Sequence, residues 1–204
     1  MLKMLKSLCL IATLALASAS SPGHAEALPP AKVVQDFYDT LLSVMKQADQ
    51  LGFQGRYAKL QPAIERAYNL PLMTRLSIGP QWQSLSPDEQ AKLTAAFSAY
   101  TIATYANRFD GYSGEKFEVG PKPSTTEAGT IIETKLIKGN GEPVSLNYLM
   151  RDTNGKPQII DVYLSGTISE LSTRRAEFTS VIRRDGAGGL LQLLDKRIAE
   201  LKTS

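Results

Sequence analysis

Residues 144–151 read Val-Ser-Leu-Asn-Tyr-Leu-Met-Arg, and this octet decides the class of the fold. Val144, Leu146, Tyr148 and Met150 fall on one side of an extended chain, while Ser145, Asn147 and Arg151 fall on the other. That is the period-two pattern of a strand with one buried face. Residues 130–138 alternate in the same way, and Asn140-Gly141 between the two runs marks a hairpin loop. Asn154-Gly155 then turns the chain into residues 158–164, where Ile160, Val162 and Leu164 line up, and a short strand over 115–119 precedes the set. Three to five mainly antiparallel strands with one apolar face need a cover, and the neighbouring segments supply helices.

Helical periodicity governs both flanks. After Pro29-Pro30, residues Val33, Val34, Phe37, Leu41, Val44, Met45 and Ala48 share a face opposite Gln35, Asp36, Asp39, Lys46 and Gln47, and Gly52 and Gly55 end that helix. Shorter helices over 56–68 and 72–78 are punctuated by Pro62, Pro71 and Gly79-Pro80. Ser86-Pro87-Asp88-Glu89 is a capping box with proline at the first helical position, opening a helix that runs to about Phe109. On it Leu93, Phe97, Tyr100 and Thr104 share one side, and Ile102, Tyr105 and Phe109 the opposite one, so it must be covered on both. Beyond the strands, residues 168–184 form a helix with Leu171, Phe178 and Ile182 inward. Gly186, Gly188 and Gly189 break it, and Leu190, Leu191, Leu194, Ile198 and Leu201 stripe the last helix. Helices, then strands, then helices argue an α+β fold.

Net charge is +3 with no long basic run, which speaks against a nucleic-acid partner. Lys3 and Lys6, the apolar run 8–17 and small residues up to Ala25 or Ala27 have the order of a secretory signal. Residues 1–25 are therefore expected to be cleaved, leaving 26–204 as one exported domain. Cleavage removes the sole cysteine, Cys9, and the sole histidine, His24. A mature chain without either has no disulfide, no thiol nucleophile, no Cys/His metal site and no Ser-His-Asp triad. No cofactor and no metal are expected; carboxylates, lysines, arginines, tyrosines and hydroxyls remain.

Four features carry alternatives. The surplus of inward apolar stripes fills a core or lines a cavity. Arg175 projects between Ile168 and Ile182 within an apolar stripe, with Arg174 and Arg183 pointing elsewhere. It needs a carboxylate such as Asp161, backbone carbonyls, a ligand phosphate or a route out to water. Asp161 itself is a hydrogen-bond anchor, or the general base of a small enzyme acting on a hydrophobic substrate. Tyr100, Tyr105 and Tyr112 are aromatic core, or hydroxyls at a pocket mouth. Gly186-x-Gly188-Gly189 follows a helix and so lacks the context of a phosphate-cradling loop.

The stretch Tyr100-Thr101-Ile102-Ala103-Thr104-Tyr105-Ala106, then Tyr112-x-Gly114-Glu115, then Asp161-Val162-x-x-x-Gly166-x-x-Ser169, then Arg175-x-x-Phe178 leading to Gly189-Leu190-Leu191-x-x-Leu194, resembles the MlaC family, also called toluene-tolerance proteins. Gly166-Thr167-Ile168-Ser169-Glu170-Leu171-Ser172-x-Arg174-Arg175 is more similar to its hopanoid-associated HpnM branch. The resemblance implies a periplasmic soluble lipid carrier, not an enzyme, in which sheet and helices enclose an apolar pocket. It implies a hopanoid or phospholipid as cargo, and docking to an inner-membrane ABC-type transporter and to an outer-membrane complex, with the carrier a monomer. It puts Arg175 and Tyr105 at the pocket or its mouth and the strand faces along its wall. Joined to the apolar stripes, the expected lipid-pocket set is Phe97, Tyr100, Tyr105, Leu146, Tyr148, Met150, Val162, Leu164, Leu171, Arg175, Phe178 and Leu194.

Overall fold

The computed structural model describes residues 29–203. The signal segment, both cleavage positions, Cys9 and His24 lie outside the described residues. The elements are α1 (Pro30–Met45), α2 (Ala48–Ala67), α3 (Leu70–Ile78), a 3-10 turn (Gly79–Ser84) and α4 (Pro87–Arg108). Strands β1 (Lys116–Val119), β2 (Ser124–Thr126), β3 (Gly129–Ile132), β4 (Thr134–Ile137), β5 (Pro143–Thr153), β6 (Lys156–Leu164) and β7 (Ile168–Ser169) follow, and then α5 (Glu170–Thr203). The fold is α+β with an antiparallel sheet.

β5 organises that sheet. Along one edge its first residues pair with β4 and its later ones with β3, and along the other edge it pairs with β6. β1 extends the sheet beyond β4, β2 beyond β3, and β7 beyond β6. Seven strands exceed the three to five read from the sequence for two reasons. The run 130–138 is split at Glu133 into β3 and β4, which meet different halves of β5. The additions β2 and β7 are only three and two residues long, too short to carry a period. The β5–β6 turn is the expected tight one, with Asn154 and Gly155 at φ of 56° and 77°. Between Leu149 and Met150 the register shifts at a bulge, so that Tyr148 faces Val162 and Met150 faces Ile159.

The capping box forms as read: the Ser86 hydroxyl accepts from the Glu89 amide and the Glu89 carboxylate accepts from the Ser86 amide at 2.8 Å. α4 packs against α2, α3 and α5, which explains why it is apolar on two faces. Phe97 and Phe178 meet edge to face at 6.3 Å in that layer, and Leu194 is buried there too. Large side chains buried this fully stabilise the fold by about 1.5–3 kcal/mol each.

α5 is a single element only by its hydrogen bonding. At Gly186, φ 69° and ψ −170° leave the helical region, while Gly188 and Gly189 stay within it. The Arg197 guanidinium donates in fork fashion to the Glu177 carboxylate, with Nη1 at 2.9 Å from Oε2. Twenty residues of straight helix would hold those two groups about 30 Å apart. The element therefore folds back, with an outgoing arm over 170–185 and a returning arm over 187–203.

Candidate site: an apolar cavity beneath two arginines

Two helical stripes and one strand face meet around a cavity of about 80 Å³. Leu146 and Tyr148 on β5, with their cross-strand partners Leu164 and Val162 on β6, form one wall. Thr101, Thr104, Tyr105 and Arg108 come from α4 at positions i, i+3, i+4 and i+7, a single helical stripe. Leu171 and Arg174 come from the outgoing arm of α5, with Glu170 beside them, while Tyr68, Met73 and Phe109 complete the lining. The lining is apolar apart from Thr101, Thr104, Arg108, Glu170, Arg174 and the tyrosine hydroxyls.

Behind the cavity lies a packed aromatic group. Phe37 meets Tyr68 and Tyr105 edge to face at 5.4 Å each, and Tyr105 stacks on Phe109 at 5.6 Å. The hydroxyls of Tyr68 and Tyr105 are paired, and that of Tyr38 pairs with Thr134, which in turn donates to the Leu146 carbonyl. Burial pushes the phenols of Tyr68, Tyr105 and Tyr148 above their ordinary range, because a phenolate there would be poorly solvated. Hydrogen bonds with Tyr68 and Tyr148 act against that shift at Tyr105, and so, less strongly, do the charges of Arg108 and Arg174.

Arg174 is the unusual member. Its side chain is 14% exposed and lies over the rings of Tyr100 and Phe97, at 4.8 and 5.5 Å from their centres. Its ion pair is with Glu170 at 3.5 Å, and its Nη1 has no hydrogen-bond partner among the described residues. Thr101, 4% exposed, likewise has an Oγ1 without a partner. The other α4 hydroxyls turn back to the carbonyl four residues earlier: Thr94 to Gln90, Ser98 to Thr94 and Thr104 to Tyr100, each at 2.8 Å.

The expected pocket residues divide into two groups. Tyr105, Leu146, Tyr148, Val162, Leu164 and Leu171 line the cavity. Phe97, Phe178 and Leu194 are buried in the α4–α5 layer outside its lining, and Tyr100 lies beneath the two guanidiniums of Arg174 and Arg197. Met150, past the bulge, borders a separate open recess with Pro29, Thr130 and Pro157. Tyr112 is 45% exposed, with the Lys46 ammonium over its ring.

The two arginines exchange the places read from the sequence. Ile168 belongs to β7 and is 57% exposed, so a helical wheel that counts it as inward is tilted towards Arg175. With α5 starting at Glu170, Leu171, Arg174 and Phe178 share the inner face. Arg175 is exposed, its guanidinium beside Gly79, where an added Cβ would meet Nε at 3.1 Å. It makes no ion pair with Asp161. That carboxylate, 4% exposed, accepts from the Val162 amide at 2.7 Å, the Leu171 amide at 3.0 Å and the Ser169 hydroxyl at 2.5 Å. Ser169 in turn accepts from the Ser172 amide at 2.9 Å. Asp161 thus clamps β6 to the start of α5, with both oxygens engaged. Tyr68, Met73, Thr101, Thr104, Arg108, Phe109, Glu170 and Arg174 were absent from the expected set. The i, i+3, i+4, i+7 stripe through Tyr105 was the signal for three of them.

Among the described residues no helix is long and apolar enough to cross a membrane. The family model described as MlaC protein matches residues 35–196. No curated protein matches the chain. Among solved structures, the phospholipid-binding protein from Ralstonia solanacearum, in complex with a phospholipid, is similar at 23% identity and a TM-score of 0.74, over 85% of this chain and 99% of that one. That likeness speaks for the fold.

Proposed function

The chain belongs to the MlaC family, and from that premise we propose that it is a periplasmic carrier that takes a membrane lipid at one membrane and yields it at the other. The reading includes a cleaved leader over 1–25 and one carrier domain over 26–204. The observation that carries it is the cavity walled by Leu146, Tyr148, Val162, Leu164, Leu171 and Met73, with Arg108 and Arg174 also in its lining. An apolar wall that also carries guanidinium groups matches an amphiphile. The similar protein from Ralstonia solanacearum, in complex with a phospholipid, supports the class of cargo.

The energetic need is plain. A chain of roughly 16 carbons costs on the order of 12 kcal/mol to expose to water, at about 0.8 kcal/mol per methylene. A protein wall that replaces the bilayer interior makes transfer nearly balanced. Direction then comes from protein partners, for which an inner-membrane ABC-type transporter and an outer-membrane complex are the proposed docking sites. The cavity of about 80 Å³ is smaller than the roughly 150 Å³ that admits a benzene ring. Uptake of a tail therefore requires the α4–α5 side to draw away from the β5–β6 face.

Native mass spectrometry of protein purified from its own host tests the reading. Bound lipid, identified after extraction as phospholipid or hopanoid, is the expected result. Delipidated protein that takes up neither from vesicles would overturn it.

A further inference from the structure

Two polar groups at the cavity stand without partners, and they are of complementary use. Arg174 presents a buried Nη1 with no acceptor, held in place by the ring faces of Tyr100 and Phe97 and by a long contact to Glu170. Thr101 presents a hydroxyl that has forgone the usual bond to the carbonyl one turn back. A buried donor left unmade is costly, and natural structures carry few. Arg108 adds a second guanidinium at the exposed rim of the same cavity. Two guanidiniums against the single carboxylate of Glu170 leave the lining net positive.

We propose that Arg174, with the Thr101 hydroxyl and Arg108, binds the phosphodiester oxyanion of the cargo. The inference rests on the carrier reading and adds to it the side chains that hold the phosphate-bearing end of the cargo. A guanidinium offers paired N–H donors in the geometry of a phosphate edge, and the hydroxyl adds a third donor. Glu170 keeps Arg174 aimed at the cavity through one weak contact that an oxyanion can displace. The tail then runs from this end along Leu146, Val162 and Leu164.

The test offers delipidated protein an equal choice. Neutral alkyl-glucoside micelles hold phosphatidylglycerol and diacylglycerol with the same acyl chains, and native mass spectrometry reads the ratio bound. The natural protein is expected to favour phosphatidylglycerol on the order of tenfold or more, the range of a charge-assisted hydrogen bond. Arg174→Gln should bring the ratio close to one, Arg174→Lys should restore part of it, and Arg175→Gln should leave it as it was. Thr101→Val should lower the ratio several-fold while raising the melting temperature, because it deletes an unpaired buried hydroxyl; a purely structural role for Thr101 gives no such pair of changes.

A natural protein that takes up both lipids without preference overturns the inference and leaves the carrier reading standing, and so does an Arg174→Gln variant with the natural ratio. Inorganic phosphate that binds as tightly without lipid as phosphatidylglycerol does assigns the site to a free anion and overturns the headgroup assignment. Failure to take up either lipid overturns the headgroup assignment, and the carrier reading falls with it only when a hopanoid offered in the same micelles is refused as well.

Discussion

Replacing Asp161 by alanine removes the acceptor that joins β6 to the start of α5. The carboxylate receives two amides, from Val162 and Leu171, and the Ser169 hydroxyl. The Val162 amide belongs to a buried residue and would be left unpaired, at about 1–3 kcal/mol. Ser169 and Leu171 are only half-buried, so water recovers part of their loss. A negative charge beside a helix N-terminus adds about 1 kcal/mol. The sum is a loss of about 2–4 kcal/mol for Asp161→Ala. Asp161→Asn keeps one acceptor oxygen, and the Ser169 hydroxyl can rotate to accept from the new amide, so about 1 kcal/mol is expected, mostly the charge. Urea unfolding gives the two values, and hydrogen exchange over residues 166–178 should show the outgoing arm opening faster in the alanine variant. Equal losses in the two variants, or a loss in Asp161→Ala below about 0.5 kcal/mol, would refute the clamp.

Gly186 holds φ 69° and ψ −170° with nothing within 4 Å of an added Cβ, so Gly186→Ala should cost about 1–3 kcal/mol from backbone strain alone, read as a lower Tm. A variant with an unchanged Tm would mean that the fold-back does not need that conformation. Phe178→Ala empties a fully buried ring site against Phe97 and should cost about 3–5 kcal/mol in urea unfolding, whereas Arg175→Ala on the exposed side should stay within about 0.5 kcal/mol. The phenols of Tyr68, Tyr105 and Tyr148 are raised in the folded protein, so the native state holds protons that the unfolded chain releases near pH 10. Stability should be full below about pH 10 and fall as pH climbs from there towards the folded values. Phenolate absorbance that develops for every tyrosine near pH 10 with the fold intact would refute this.

The long amphipathic segments were legible because each carries a local signal: the capping box at Ser86, the stripe of α1, the alternation of β5, the turn at Asn154-Gly155. The two-faced apolarity of α4 correctly marked it as surrounded. What escaped notice depends on partners distant in sequence. β2, a run of exposed Ser-Thr-Thr, has no pattern of its own and is a strand only because β3 lies beside it. β7 is two residues long, and counting its exposed Ile168 as an inward helical position tilts the stripe towards Arg175 and away from Arg174. At the cavity, the strand-face residues were readable from alternation. Tyr68 and Met73 were not, since nothing local tells that α2 and α3 deliver them to the same place. Phe97, Phe178 and Leu194 have the same apolar signature as lining residues, and only packing decides which side of a wall a ring fills.

The return at Gly186 also has a mechanical side. Fifteen residues of helix separate it from Leu171, a rigid rod of about 22 Å at 1.5 Å per residue. A swing of about 10° about that one glycine would carry the far tip through about 4 Å, close to the contact distance between hydrocarbon carbons. Two torsions are thus geared to a gap one alkyl chain wide. The Glu177–Arg197 fork, set partway along the rod, and the Asp161 clamp on the Leu171 amide at its tip are the two brakes on that lever, and the clamp must let go first.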